Sequence, residues 1–304
     1  MLNDNEILLK DILGKIKKVI SEYGEDKFYV SFSGGKDSTI LSWLIDEALP
    51  DNNIPRVYAD TGIELEMIRQ FVLNKKTKDK RIEILKPVTP IKKMLEKEGY
   101  PFKSKMHSGI LDKYQRNGKI TGVLQYLGER PDKKPWSSQN SCPQKLKYQF
   151  SEDFKIRVSE NCCKYLKKNP IKKYSKENKK LYAIVGIMKA EGGQRQNATC
   201  MVMKKDKLES FHPLVNATKE WEDWLIEKYN IEICDIYKEP YNFTRTGCKG
   251  CPFAKDLEKE LDILEKYFPN ERRQCENIWK PIYDEYRRLR YRLKKPYYEQ
   301  IPLF

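Results

Sequence analysis

Two adjacent glycines, Gly34 and Gly35, separate an apolar and aromatic run at Phe28 to Phe32 from an apolar-periodic run at Ser38 to Leu49. The first run predicts a buried strand and the second a helix. Between them the glycines let the backbone turn sharply, so that its N–H groups can approach a bound anion. The helix N-terminus adds a partial positive charge at the same point. Lys36 contributes a full charge, Ser33 and Ser38 contribute hydroxyl donors, and Asp37 stands between them. The segment Ser33-Gly34-Gly35-Lys36-Asp37-Ser38 therefore predicts a phosphate cradle at the mouth of a strand. Its order is not the G-x-x-x-x-G-K-[ST] order of common nucleotide triphosphatase loops. A plain turn of small residues before a helix is the competing reading, and it accounts less well for strand, double glycine, lysine and helix in this order.

The flanking pattern sets the fold class. Leu2 to Ile20 carries apolar residues at helical spacing. After the loop helix come a strand at Arg56 to Ala59, a helix near Leu65 to Leu73, a strand at Arg81 to Leu85 and a helix near Pro90 to Glu98. This alternation predicts an α/β fold with a doubly wound, parallel, Rossmann-like sheet that binds ligands at the carboxyl ends of its strands. Tyr100 to about Lys180, with many Lys, Asn, Ser and Pro, predicts an irregular insertion with active-site loops. Leu181 to Ile187 predicts a late strand, Glu220 to Tyr229 and Leu257 to Tyr267 predict helices, and Asn270 to Lys294 predicts a long basic helix. The expected organisation is a nucleotide-binding domain over residues 1–245, with the insertion near 100–180, and a CxxC loop with a basic helical region over 246–304.

A chain of 304 residues can bury a real core, and 39% hydrophobic with 12% aromatic residues argues for a folded protein. The excess of 59 basic over 44 acidic side chains, +15 in all, would attract phosphate-rich partners, with nucleic acid foremost. Solubility alone also explains a lysine-rich composition. No apolar stretch has the length to cross a bilayer, and Met1 to Glu6 lacks the apolar core of a secretion signal. A cytoplasmic protein with no membrane partner is expected. Its eight cysteines are then thiols or metal ligands rather than disulfides.

The second strand ends in Tyr58-Ala59-Asp60-Thr61-Gly62-Ile63-Glu64, which puts Asp60 and Thr61 beside the phosphate loop. Through its Ser-Gly-Gly-x-Asp-Ser loop the chain resembles the adenine nucleotide α-hydrolase (PP-loop) superfamily. Through Asp60-Thr61-Gly62 and the acids that follow, it resembles the phosphoadenosine phosphosulfate (PAPS) reductase family within it. Gly99 to Lys105, Val185-Gly186-Ile187 followed by Glu191 and Arg195, and His212-Pro213-Leu214 are similar to further pieces of that family. The resemblance runs from about Phe28 to Pro252. It implies cleavage of ATP to AMP and pyrophosphate with Mg²⁺. It also implies nucleotide binding by Ser33, Gly34, Gly35, Lys36, Asp37, Ser38, Asp60, Thr61, Gly62, Gly186, Glu191 and Arg195, with Lys36 and Asp37 in catalysis. Glu191 and Arg195 also read as an ordinary surface pair. Where the family often has arginine this chain has Met188, so one contact is missing or is replaced by Lys189.

Cys162-Cys163 and Cys248-Lys249-Gly250-Cys251-Pro252 form a CC…CxxC set. Four thiolates can close an iron–sulfur cluster or a tetrahedral zinc site. The split pattern resembles the [4Fe–4S] ligands of adenylylsulfate reductases and of the DNA-phosphorothioation sulfur-transfer enzymes. A [4Fe–4S] cluster is the expectation from that resemblance, with zinc and free thiols as alternatives. Cys142 lies in Ser141-Cys142-Pro143-Gln144-Lys145-Leu146-Lys147, where lysines could favour a thiolate, so it is a catalytic candidate as well as a plain buried cysteine. Lys164 to Lys180 holds eight lysines with Tyr165 and Tyr174. Tyr286 to Tyr298 holds Arg287, Arg288, Arg290, Arg292, Lys294 and Lys295 among four tyrosines. Cations interleaved with aromatics suit a nucleic-acid backbone with stacked bases, and equally a solvated helix face.

PAPS reductases carry their nucleophilic cysteine near the C-terminus in a Glu-Cys-Gly-Leu/Ile-His setting. Here no cysteine follows Cys275, and Arg273-Gln274-Cys275-Glu276-Asn277 does not match. The resemblance then implies an ATP pyrophosphatase that activates a nucleic-acid or nucleotide substrate for sulfur transfer, with a cysteine desulfurase or another sulfur donor as a partner. A PAPS or adenylylsulfate reductase and a non-catalytic nucleotide-binding subunit of a modification complex are the alternatives.

Overall fold

The computed structural model describes residues 3–298 except 131, 133–136, 138 and 139. In chain order the elements are α1 (Asp4–Tyr23), β1 (Phe28–Ser31), α2 (Lys36–Ala48), β2 (Arg56–Ala59), α3 (Glu66–Lys78), β3 (Ile82–Leu85), α4 (Ile91–Glu98), α5 (Lys105–Asn117), α6 (Thr121–Leu127), α7 (Asn169–Glu177), β4 (Tyr182–Ile184), β5 (Met201–Lys204), β6 (Lys207–Phe211), α8 (Lys219–Tyr229), α9 (Leu257–Tyr267) and α10 (Pro269–Leu289). Contacts divide the chain into two units. The first comprises Met1–Asp60, Glu64–Pro87 and Asn169–Thr246; the second comprises Thr61–Ile63, Val88–Lys168 and Gly247–Phe304.

The first unit contains all six strands, in the order β3-β2-β1-β4-β6-β5. The five strands from β3 to β6 run parallel, and β5 closes the edge antiparallel to β6. Strand order runs one way from β1 to β3 and the other way from β4 onward. The carboxyl ends of β1 and β4 therefore flank a topological switch point, the place where α/β sheets bind ligands. Helix α1 starts with a capping box, Asn3 accepting from the Glu6 amide and Glu6 from the Asn3 amide. Its buried face, Leu9, Ile12, Ile16, Val19 and Ile20, joins Phe28 and Val30 of β1 and Ile40, Leu41, Leu44 and Ile45 of α2 in one core.

Among the buried residues of the described strands one is charged. Arg56 opens β2 and is fully buried. Asp46 accepts from its guanidinium at 2.7 Å, Asn52 at 2.8 Å and the Ser42 hydroxyl at 3.1 Å. The same Asp46 oxygen also accepts from Arg81 at 2.8 Å, so one carboxylate ties β2 and the entry to β3 to α2. A buried cation is tolerated only with such partners.

The doubly wound parallel sheet matches the reading of the sequence, and three local expectations change. The described residues between 100 and 180 carry more helix than expected. They fold into α5, α6, short turns of helix at Gln144–Phe150 and Lys164–Lys168, and α7. In the second unit Phe102, Leu111, Val123, Tyr126 and Phe150 are buried together with His107, whose ring bonds the Tyr126 hydroxyl and the Gln149 side chain at 2.8 Å each. Residues 88–168 group with residues 247–304 in the second unit. Strand β4 is shorter than Leu181–Ile187, because the chain leaves the sheet at Val185 to form a turn. The basic helix ends at Leu289, where Arg290 turns left-handed at φ 49°, so its last cations lie beyond it. Among the described residues no helix is long and apolar enough to cross a membrane.

Replacing Asp46 by alanine should leave Arg56 buried without its carboxylate. Because Asp46 is itself partly exposed, a loss of roughly 2–3 kcal/mol is expected, below the 3–5 kcal/mol typical of fully enclosed pairs. Urea unfolding measures it. Arg56→Met should cost less, since it removes the charge rather than stranding it.

Candidate functional site

The loop between β1 and α2 is held open by its own hydroxyls. Ser38 Oγ donates to the Gly35 carbonyl at 3.0 Å and accepts from the Ser33 amide at 3.1 Å. The Ser33 and Ser38 hydroxyls lie 3.0 Å apart, and Thr39 also donates to the Gly35 carbonyl. Helix α2 begins at Lys36 with Gly35 as its cap, so no side chain occupies the capping position. Gly34 adopts φ +70°, and a Cβ there would lie 2.5 Å from the Val72 side chain of α3. Across the switch point a Cβ on Gly186 would meet the Asp37 carbonyl at 3.1 Å. Gly34 therefore admits no side chain, and one at Gly186 would require the Asp37 backbone to give by a few tenths of an ångström.

Above this loop opens a cavity of about 360 Å³. Ser33, Gly35, Lys36, Asp37, Ser38, Gly186, Glu191 and Arg195, all singled out in the sequence, line it. Gly34 shapes the loop from outside the lining. Asp60 is buried and pairs with Arg69 at 3.2 Å rather than facing the cavity. Thr61 and Gly62 do not line it and group with the second unit.

Five further residues complete the site and escaped sequence reasoning. Arg245 joins Arg195 on Glu191, the Arg245 contact being 2.8 Å. Met188 is a buried wall residue, and Lys189 does not line the cavity. Burial, then the charge of Arg245, loosens the hold of Arg195 on its proton. Lys219 and Glu222 come from α8, and Tyr237 and Thr246 bond each other beside Gly35. Burial pushes the Tyr237 phenol up to about 12, so it stays a neutral donor. Lys36 is held by Asp223 at 3.0 Å and lies 3.8 Å from Glu222. The Glu222 carboxyl is pushed up to about 8 by burial first and then by the charge of Asp37. The only sequence signal for these residues was the Thr218-capped helix that follows His212-Pro213-Leu214.

In the second unit the CxxC loop is fixed by its neighbours. Trp279 Nε1 donates to the Lys249 carbonyl at 3.0 Å, and the Tyr286 hydroxyl donates to that of Pro252 at 2.9 Å. Tyr283, between them on the same face of α10, donates to the Gly250 carbonyl. Lys249 donates to Gln274 at 2.6 Å and Glu271 at 3.2 Å. The neighbouring Cys163, then burial, pushes the Cys162 thiol up, while Cys162 lowers Cys163, with Lys105, Lys167 and Lys168 assisting against burial. The charges of Cys248 and Cys251 act on Cys162 as well, so all four thiols belong to one electrostatic group. Among the described residues, however, no three His, Cys, Asp or Glu side chains form a ready metal-binding group.

Cys142 does not meet the expectation of a reactive thiolate. Burial pushes its thiol up to about 11, outweighing Lys103 and Lys147, which do lower it. Burial likewise pushes Cys275 up to about 12. Much of the C-terminal basic tract is engaged internally. Arg287 pairs with Glu276, Arg288 with Glu285 at 2.7 Å and Lys295 with Asp262 at 2.7 Å, while Arg292 donates to the Pro252 carbonyl. In the earlier tract Lys164, Lys168, Lys172, Lys173, Lys176 and Lys179 are exposed.

A protein of Methanocaldococcus jannaschii bearing no functional description is 25% identical over 302 residues, covering 89% of this chain. The chain spans 58% of that relative's length. Among solved structures, the PAPS reductase of Candida auris in complex with phosphate is 12% identical with a TM-score of 0.42, covering 78% of this chain and 91% of that one. The U34-tRNA thiolase of Methanococcus maripaludis with its [4Fe-4S] cluster is 16% identical with a TM-score of 0.39, covering 91% of this chain and 80% of that one. The model of the phosphoadenosine phosphosulfate reductase domain matches residues 27–138 and 129–254, a span that takes in the loop, the switch point and the CxxC segment. This chain therefore belongs to the phosphoadenosine phosphosulfate reductase domain family.

Proposed function

We propose that the protein is an ATP pyrophosphatase that releases pyrophosphate from ATP and couples the resulting adenylate to sulfur transfer. The observation that carries this reading is the cavity at the switch point, where hydroxyls, an uncapped helix start and Lys36 converge at one end and Arg195 and Arg245 lie within the same wall. Ser33, Lys36 and Ser38 would hold the β- and γ-phosphates. Charge that develops on the departing pyrophosphate would be met by donors already in place, the arrangement that lowers a barrier most. Mg²⁺ would accompany the phosphates of ATP, with Asp37 beside the loop.

A [4Fe–4S] cluster fits the four thiols by donor chemistry, since Cys162, Cys163, Cys248 and Cys251 are all soft ligands acting on one another, and zinc is the alternative. Bound there, the cluster supplies a soft centre for sulfur chemistry. The loop that carries Cys248 and Cys251 is oriented by Trp279, Tyr283 and Tyr286, as outer partners orient metal ligands elsewhere. Sulfate reduction by Cys142 or Cys275 is disfavoured, because burial keeps both thiols protonated. We assign nucleic acid as the acceptor class, with the exposed Lys172, Lys173, Lys176 and Lys179 as the contact surface and a cysteine desulfurase as the source of sulfur.

Three outcomes test this reading. Purified protein given ATP should yield AMP and pyrophosphate, and Lys36→Ala should lower that rate by about 100-fold or more. ADP as the product would overturn the assignment. Anaerobically purified protein should be brown with about four irons per chain, and Cys251→Ser should lose the colour; stoichiometric zinc without visible absorbance points to a structural metal instead. Filter binding should show nucleic-acid affinity falling steeply from about 50 to 200 mM salt. Reversing the charges of Lys172, Lys173 and Lys176 should weaken that binding and leave ATP cleavage intact.

A further inference from the structure

Glu222 has the least explicable side chain in the protein unless something binds beside it. It sits in the first turns of α8, its side chain has no exposed surface, and neither carboxyl oxygen has a hydrogen-bond partner. A carboxyl buried without partners costs several kcal/mol in an apolar setting, and folded proteins seldom retain one idly. Glu222 nevertheless lines the cavity over the pyrophosphate loop. Its one near cation, Lys36, is 3.8 Å away and is already committed to Asp223 at 3.0 Å.

We propose that Glu222 acts as a neutral carboxylic acid that donates its proton in a hydrogen bond to a phosphate oxygen of the bound nucleotide, and so makes anion binding depend on that proton. The inference rests on the reading that ATP phosphates occupy this loop. Charge decides between the two chemistries open to a carboxyl there. As a carboxylate, Glu222 would face Asp37 across the cavity and an incoming polyanion, with Asp223 beside it on α8. The cations that face it, Lys36 from α2 and Lys219 from α8, do not offset this. As an acid it adds a donor to the hydroxyls of Ser33 and Ser38 and repels nothing. A role as a cation ligand is the weaker account, because no three acidic, histidine or cysteine side chains among the described residues gather around it. The ionisation range agrees with the geometry, the carboxyl holding its proton up to about pH 8.

The sign follows directly. Below about pH 8 the acid is present and ATP binds with full affinity. Above it the site must take up one proton for each ATP bound, so affinity should fall about tenfold per pH unit. The test is calorimetric titration of the full chain with Mg²⁺ and ATP between pH 6.5 and 9.5, a range above the point near pH 6 where phosphate itself titrates (values about as for any phosphomonoester). Glu222→Gln, a neutral donor of the same shape, should bind like the wild type at pH 7 and lose the alkaline fall. Glu222→Met, which has no donor, should bind about tenfold more weakly at every pH. Lys36, Lys219 and Tyr237 remain in both variants, so any titration of theirs appears in the Gln variant and is subtracted. Circular dichroism melts establish that each variant is folded. If the Gln variant keeps the alkaline fall, or loses binding as fully as the Met variant, the proposal is wrong. If the wild type binds no ATP at any pH, the pyrophosphatase reading itself falls and the proposal with it.

Discussion

Close backbone approach at the switch point governs the arrangement of the first unit. The exit of β4 passes so near the start of α2 that a methyl group on Gly186 would press on the Asp37 carbonyl at 3.1 Å. On the other side Gly34 fits against Val72 of α3 only as glycine. These two contacts fix where the first turn of α2 points, and with it the placement of Lys36, Asp37 and Ser38. The apolar core beneath, from Ile12 through Val30 to Leu44, supplies the rigidity that keeps such contacts from relaxing.

Electrostatics in the cavity are those of preorganisation rather than of simple excess charge. Lys36 is anchored by Asp223, and Arg195 and Arg245 are anchored by Glu191. Each cation is thus held in position by a carboxylate of its own unit. The net +15 of the chain misleads in this respect. Many of its arginines, Arg56 and Arg287 among them, are consumed by internal carboxylates, and the surplus resides mainly in exposed lysines.

How much of this was legible in the sequence depends on whether the signal was local. The turn at Ser33–Gly35 between β1 and α2 was readable because strand, glycines, lysine and helix are contiguous. The helix α1 and the parallel order of β1 to β3 were readable from periodicity alone. Residues 100–180 were misread as irregular because their polar, lysine-rich composition hid amphipathic faces that close around His107 and Phe150. The β5–β6 hairpin was missed because its turn, Lys205-Asp206, reaches left-handed backbone without the glycine that usually marks one. Glu222, Tyr237 and Arg245 were invisible for another reason: they reach the site through chain reversal, and nothing near them in sequence announces chemistry. Cys142 shows the converse error, since neighbouring lysines suggested a thiolate and only the fold reveals that burial outweighs them.

The clamp of α10 on the CxxC loop carries a consequence for how the molecule is made. Trp279, Tyr283 and Tyr286 hold the carbonyls of Lys249, Gly250 and Pro252, so the loop cannot settle until the last helix exists. Cys162 and Cys163 leave the ribosome well before it, and Cys248 follows Cys163 by 85 positions. At about 5–20 residues per second that interval is roughly 4–17 s. During it the vicinal thiols have neither their partner cysteines nor the finished unit around them. The unit that carries the four cysteines is therefore completed only when α10 has been made.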